Sequence, residues 1–190
     1  MTNEPRIPTK AELLEALRSS GQQALERLRA LPAAEFEQGR YENGWNGRQI
    51  LAHVSSIEWT YTRLLDIAKE APAGAEAPAP SSAASVRRTE PGETNAPTRT
   101  MQGGVDGYNE RQVAKRAEAS VAELLDEFER NRAATIAAVE GADEELLQRP
   151  IRSAGGVTGP LAGVIYAVAV QHVLAHAGDI VGAPLTGKRS

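Results

Sequence analysis

Residues 46–70 read NGRQILAHVSSIEWTYTRLLDIAKE, and their periodicity decides the fold. Asn46 followed by Gln49 is an N-capping pattern, with Trp45 and Ile50 at the two ends of a hydrophobic staple. Ile50, Val54, Ile57, Tyr61, Leu64 and Ala68 recur at helical spacing, which predicts one amphipathic helix from Gly47 to about Glu70. His53 falls on one shoulder of its apolar stripe and Glu58 on the other.

The same reading extends to both sides. Thr9 and Glu12 form a capping box for a helix from Lys10 to Leu31, stopped by Pro32. Gly107 to Glu118 reads as a short helix. Ser120 and Glu123 cap a third long helix carrying Val121, Leu124, Leu125, Phe128, Ile136 and Val139, which Gly141 ends. A connection without a strong strand pattern leads to Pro160, which suits the first position of a fourth helix closed by Gly182 and Pro184. The expected fold is all-α, a four-helix bundle in a single domain over residues 1–190. Residues 71–105 are rich in Ala, Pro, Ser and Thr and poor in large apolar side chains, and are expected to form a long flexible loop between helices 2 and 3.

Composition narrows the function. The chain is 41% hydrophobic, enough for a packed core, but only 4% aromatic, so that core is aliphatic. A net charge of −4 with interspersed signs argues against nucleic acid as a partner. The absence of cysteine excludes disulfides, thiolate metal sites and a thiol nucleophile of the chain's own, and fits a cytoplasmic protein. The polar start MTNEPRIPTK has no signal-peptide core. Residues 153–178 carry no formal charge, yet their unbroken apolar run, Leu161 to Val170, is short, so a buried helix is expected and no membrane span.

The chemistry concentrates in three histidines. His172 and His176 stand one turn apart on the fourth helix, and His53 lies on the second. Three inward-facing imidazoles in an aliphatic core need something to satisfy their nitrogens, and a divalent metal does so directly. Zn, Ni or Fe(II) all suit imidazole. Val173 stands where H-E-x-x-H would place its glutamate, so a zincin protease is not expected. Asp179 is a candidate to accept an imidazole N–H, or else a solvated residue near the helix end. Glu58 reads either as a base, ligand or substrate-binding group or as a surface salt-bridge residue. Arg111, Asn109 and Arg48 are candidate substrate-binding residues, with charged surface as the plain alternative.

These motifs resemble a known family. GWNGRQILAHVSSIEW is similar to the second helix of the DinB/YfiT-like metalloenzymes, HVLAHAGDI to their last helix, and YNERQVAKRAEASVAELLDEFERNRAATIAAV to their third-helix region. The resemblance implies up-down-down-up topology, a three-histidine metal centre at His53, His172 and His176, and a homodimer. It also implies enzymes that use a low-molecular-weight thiol such as mycothiol or bacillithiol. Two features depart from the mycothiol-dependent isomerase type: His172 stands where a Glu tends to occur, and the further C-terminal domain of that type is not in this sequence. The expected function is a metal-dependent enzyme that presents an external thiol to an electrophilic small molecule. The alternatives are a hydrolase using metal-activated water, a non-catalytic metal-binding stress protein, and a helical dimerisation module with buried histidines.

Overall fold

The computed structural model describes residues 7–39, 44–70, 86–89, 96, 98 and 103–185. Helix α1 (Lys10–Arg29) starts at the Thr9/Glu12 capping box. A 3₁₀ turn, Ala33–Glu37, leads to α2 (Gly47–Glu58), where Asn46 and Gln49 cap each other reciprocally. Such a cap contributes about 1 kcal/mol. After it come α3 (Tyr61–Glu70), strand β1 (Arg87–Arg88), α4 (Gly104–Ala114), α5 (Val121–Glu140), α6 (Glu144–Gln148), β2 (Pro150–Arg152), β3 (Val157–Pro160) and α7 (Leu161–Val181).

Long-range contacts fix the topology. Arg29 pairs with Glu129 at 2.7 Å, and Lys10 Nζ donates to Glu140 O at 2.8 Å, so α1 and α5 are antiparallel. Ser55 Oγ donates to Leu124 O and Thr135 Oγ1 to Glu58 O, so α2 and α5 are parallel. Gly47 approaches Ile180 while His53 faces His172, making α2 and α7 antiparallel. This is the up-down-down-up bundle. Its core is aliphatic: Leu13, Leu17, Leu65, Leu147, Leu161 and Ile165 fill one end, and Leu28, Ile50, Leu51, Leu124 and Val173 the other, with Phe36 and Phe128 among the few aromatics.

Several expectations need correction. The 47–70 helix is broken at Trp59–Thr60. Hydroxyl groups cause the break: Thr60 Oγ1 and Thr60 N both donate to Ile57 O, at 2.6 and 2.9 Å, and Thr62 Oγ1 donates to Trp59 O at 2.9 Å. Such back-bonding tightens the turn and bends the axis. Helix α4 starts and ends earlier than the sequence predicts. Pro160 lies just before the fourth helix rather than in its first turn.

The fourth helix is also not α-helical throughout. It opens as α-helix over Leu161–Ile165, widens to π-helix over Tyr166–Gln171, and resumes as α-helix over His172–Val181. A helical wheel at constant pitch therefore does not carry Leu161 and Ile165 onto the face of the histidines. This helix is long and apolar enough to cross a membrane by length and composition, and half of its most apolar window is buried within the bundle.

The connection before α7 contains strands. β2 and β3 form an antiparallel hairpin, and β1, from the region expected to be loop, adds on its other side in the order β1-β3-β2. The register pairs Arg88 with Val157 and Arg87 with Thr158. Gly156 makes this possible. Its φ is +84°, and a Cβ there would lie 2.8 Å from Thr89 O. Most of the remainder of the 71–105 segment lies outside the described residues.

Candidate metal centre

His53 sits in the middle of α2 with only 5% of its surface exposed. His172 opens the last α-helical stretch of α7, directly after the π-helical turn, and His176 follows one turn on. The His53 ring centroid lies 5.7 Å from that of His172 and 5.2 Å from that of His176, edge to face in both cases. His172 Nε2 and His176 Nε2 are 2.8 Å apart. One ligand atom from each histidine lies within 4.8 Å of the other two.

The electrostatics favour neutral imidazoles. Burial pushes His53 down to about 3, with His176 and His172 adding to the effect. Burial, helped by His176 and Arg88, lowers His172 to about 4 against the pull of the Val168 carbonyl and Asp179. His176 is lowered by burial too, although Asp179 favours its charged form. Asp179 Oδ2 stands 3.4 Å from His176 Nδ1. His53 Nδ1 is buried without a hydrogen-bond partner. Neutral nitrogens that converge, one of them orphaned, form a donor set that a divalent cation fits.

A cavity of about 840 Å³ opens beside this cluster, its walls including His53, His172, Trp59, Tyr61, Tyr108 and Asn109. The remaining sequence candidates separate. Asn109 lines the cavity and Asp179 adjoins His176, but Arg48 does not line it: Nη1 of Arg48 donates to Ala117 O and its Nε lies 3.4 Å from Glu37. Arg111 folds back toward Gly103 and Gly107 and is not part of the wall.

Glu58 is neither a surface residue nor a cavity residue. It is fully buried, with Oε1 2.9 Å from Arg132 Nε and Oε2 accepting from Arg132 Nη2 at 3.0 Å. Burial pushes its carboxyl up to about 7, against the opposing pull of Arg132.

Sequence reading passed over Arg88, Tyr108 and Gln171, all of which line the cavity. The available signal was the Gly155-Gly156 turn flanked by Ile151, Val157 and Thr158, a hairpin pattern that draws β1, and with it Arg88, to the wall.

A model of the DinB superfamily matches residues 39–180. No curated protein matches the chain. Among solved structures, the chain is similar to that of the mycothiol-dependent maleylpyruvate isomerase, at 20% identity and a TM-score of 0.66, and to a histidine-to-alanine mutant of that enzyme, at 19% and 0.65. Each superposition covers 94% of this chain but 63% of the other, so the chain spans less than two thirds of the length of these relatives.

Proposed function

Because the chain belongs to the DinB superfamily, we propose that it is a divalent-metal-dependent enzyme that presents an external low-molecular-weight thiol to an electrophilic small molecule. The observation that carries this reading is the convergence of His53, His172 and His176 at the wall of a cavity large enough for a small ligand. These three side chains would hold the metal, and Asp179 would keep the His176 ring oriented through Nδ1. When bound, a divalent cation lowers the pKa of a thiol and polarises a carbonyl. The chain itself has no cysteine, so the thiol comes from outside. Ile57, Leu64 and Val168 exclude water from the cavity, while Asn109 and Gln171 offer amides to orient a polar group.

Elemental analysis of the purified and Zn- or Ni-incubated protein tests the first half of the reading. One metal per chain is expected, and its loss in His176→Ala; full occupancy in that variant removes the assignment. Assays of the metal-loaded protein against electrophiles, with and without mycothiol, bacillithiol or glutathione, test the second half. Turnover that requires a thiol is expected, and turnover without one would replace thiol transfer by hydrolysis.

A further inference from the structure

Among the described residues lining the cavity there are two arginines, Arg63 and Arg88, and no Asp or Glu. Arg63 is already engaged. Its Nη1 lies 3.3 Å from Asp66, and its guanidinium stands over the Trp59 ring at 5.7 Å. Arg88 has no carboxylate partner among the described residues. Its Nη1 donates to Gly155 O at 2.6 Å, which orients the guanidinium with a neutral acceptor and leaves its charge uncompensated.

The backbone beneath Arg88 is held with unusual care for a strand of two residues. Such a strand has little stability of its own. Here the neighbouring Thr89, only 3% exposed, receives a set of bonds that fix it. Thr89 N donates to Gly156 O at 2.7 Å, and its Oγ1 shares a hydrogen bond of 2.6 Å with Thr158 Oγ1. Arg152, itself buried, donates through Nη2 to Thr89 O at 2.8 Å and through Nε to Thr89 Oγ1 at 3.2 Å. The region between helices 2 and 3 is thus pinned at the position that brings Arg88 to the cavity wall.

We propose that Arg88 is the anion-binding residue of this cavity, and that the cavity takes a small molecule with an apolar body and one carboxylate, the carboxylate held by Arg88. This names the substrate class of the site and rests on the proposed function for its catalytic meaning. A guanidinium with two donors to spare matches a planar carboxylate. The apolar walls suit the body of such a molecule, and the absence of acidic lining removes the repulsion that would exclude an anion. A phosphate dianion calls for more donors than one arginine and two amides supply.

The test is calorimetric titration of the full chain, metal-free and Zn-loaded, with 4-phenylbutyrate and with its neutral amide. The wild type is expected to bind the acid more tightly than the amide in both forms. Arg88→Gln is expected to weaken the acid about tenfold or more, as loss of a charge-assisted pair does, and to leave the amide within about twofold. Arg88→Lys, which keeps the charge and loses the fork, falls between. Acid binding in Arg88→Gln within about twofold of wild type, equal loss of acid and amide, or no acid binding by the wild type at millimolar concentration each overturns the proposal. The metal-free titration separates the two readings: a chain that holds no metal yet still distinguishes acid from amide through Arg88 retains this site and loses the proposed function.

Discussion

Arg132 of α5 donates through Nη2 to Ala169 O at 2.6 Å, inside the π-helical stretch of α7, while the same guanidinium holds the Glu58 carboxylate at the end of α2. Its Nη1 also reaches Leu17 O and Ser20 Oγ of α1, each at 3.3 Å. One side chain therefore ties together all four long helices, two of which carry the histidines. Removing one partner of a buried ion pair leaves the other charge uncompensated, which costs about 3–5 kcal/mol. Arg132→Met should lose stability of that order in urea unfolding, and Glu58→Met combined with it should recover most of the loss. A single variant as stable as the wild type would show that the pair does not tie the bundle.

Asp179 acts on the metal centre through His176. Asp179→Asn should lower Zn affinity about 10–100-fold, as removal of a carboxylate behind a ligating imidazole does. Competition with a chelator measures it. Unfolding stability of the metal-free chain should change little, because Asp179 is itself 40% exposed. Unchanged affinity would remove Asp179 from the centre.

The metal-free chain should lose stability as the solution is acidified, and the sign follows from the histidines. In the unfolded chain they take up a proton near 6.5, whereas in the fold His53 does so at about 3 and His172 at about 4. Above pH 6.5 both states hold neutral rings and stability is flat. Below it the unfolded state binds more protons, so stability falls until the folded rings charge in turn, near pH 4 and then 3. Each group contributes at most about 1.4 kcal/mol per pH unit. His53→Gln should flatten the curve between pH 6.5 and 5, before most carboxylates titrate. An identical slope in that variant would assign the acid sensitivity elsewhere.

Gly156→Ala should detach β1 without unfolding the bundle. The substitution combines a positive φ with a Cβ 2.8 Å from Thr89 O, and strain of this kind costs about 1–3 kcal/mol. Hydrogen exchange reads the outcome: protection of the Thr89 amide should fall, while that of Leu51 and Val173 in the core should persist. Retained protection at Thr89 would mean that the strand accommodates the methyl group.

The four long helices were legible because their caps and apolar spacings are local. Thr9, Asn46 and Ser120 each act within three residues, and the structure keeps all three capping boxes. The meeting of His53 with His172 and His176 was legible too, since each lies on an inward shoulder of a helix the pattern defines. The break at Trp59–Thr60 was not, because it depends on hydroxyl rotamers competing with backbone amides rather than on hydropathy. The burial of Glu58 was hidden for a related reason: its partner lies on another helix, and a lone charge on a helix shoulder looks the same whether it faces water or a guanidinium. Arg88 needed knowledge of a strand pairing between distant segments, which spacing along one chain does not encode.

The π-helical stretch Tyr166–Gln171 gives the site a dependence on counting. A π-turn holds one residue more than an α-turn, so deleting any single residue between 166 and 171 allows an ordinary helix to run through. Everything beyond the deletion would then turn by about 100° relative to the bundle, or everything before it would. All three histidines would still be present, the composition would barely change, and the rings would no longer meet. The convergence at His53 is set by the length of a segment as much as by any side chain within it.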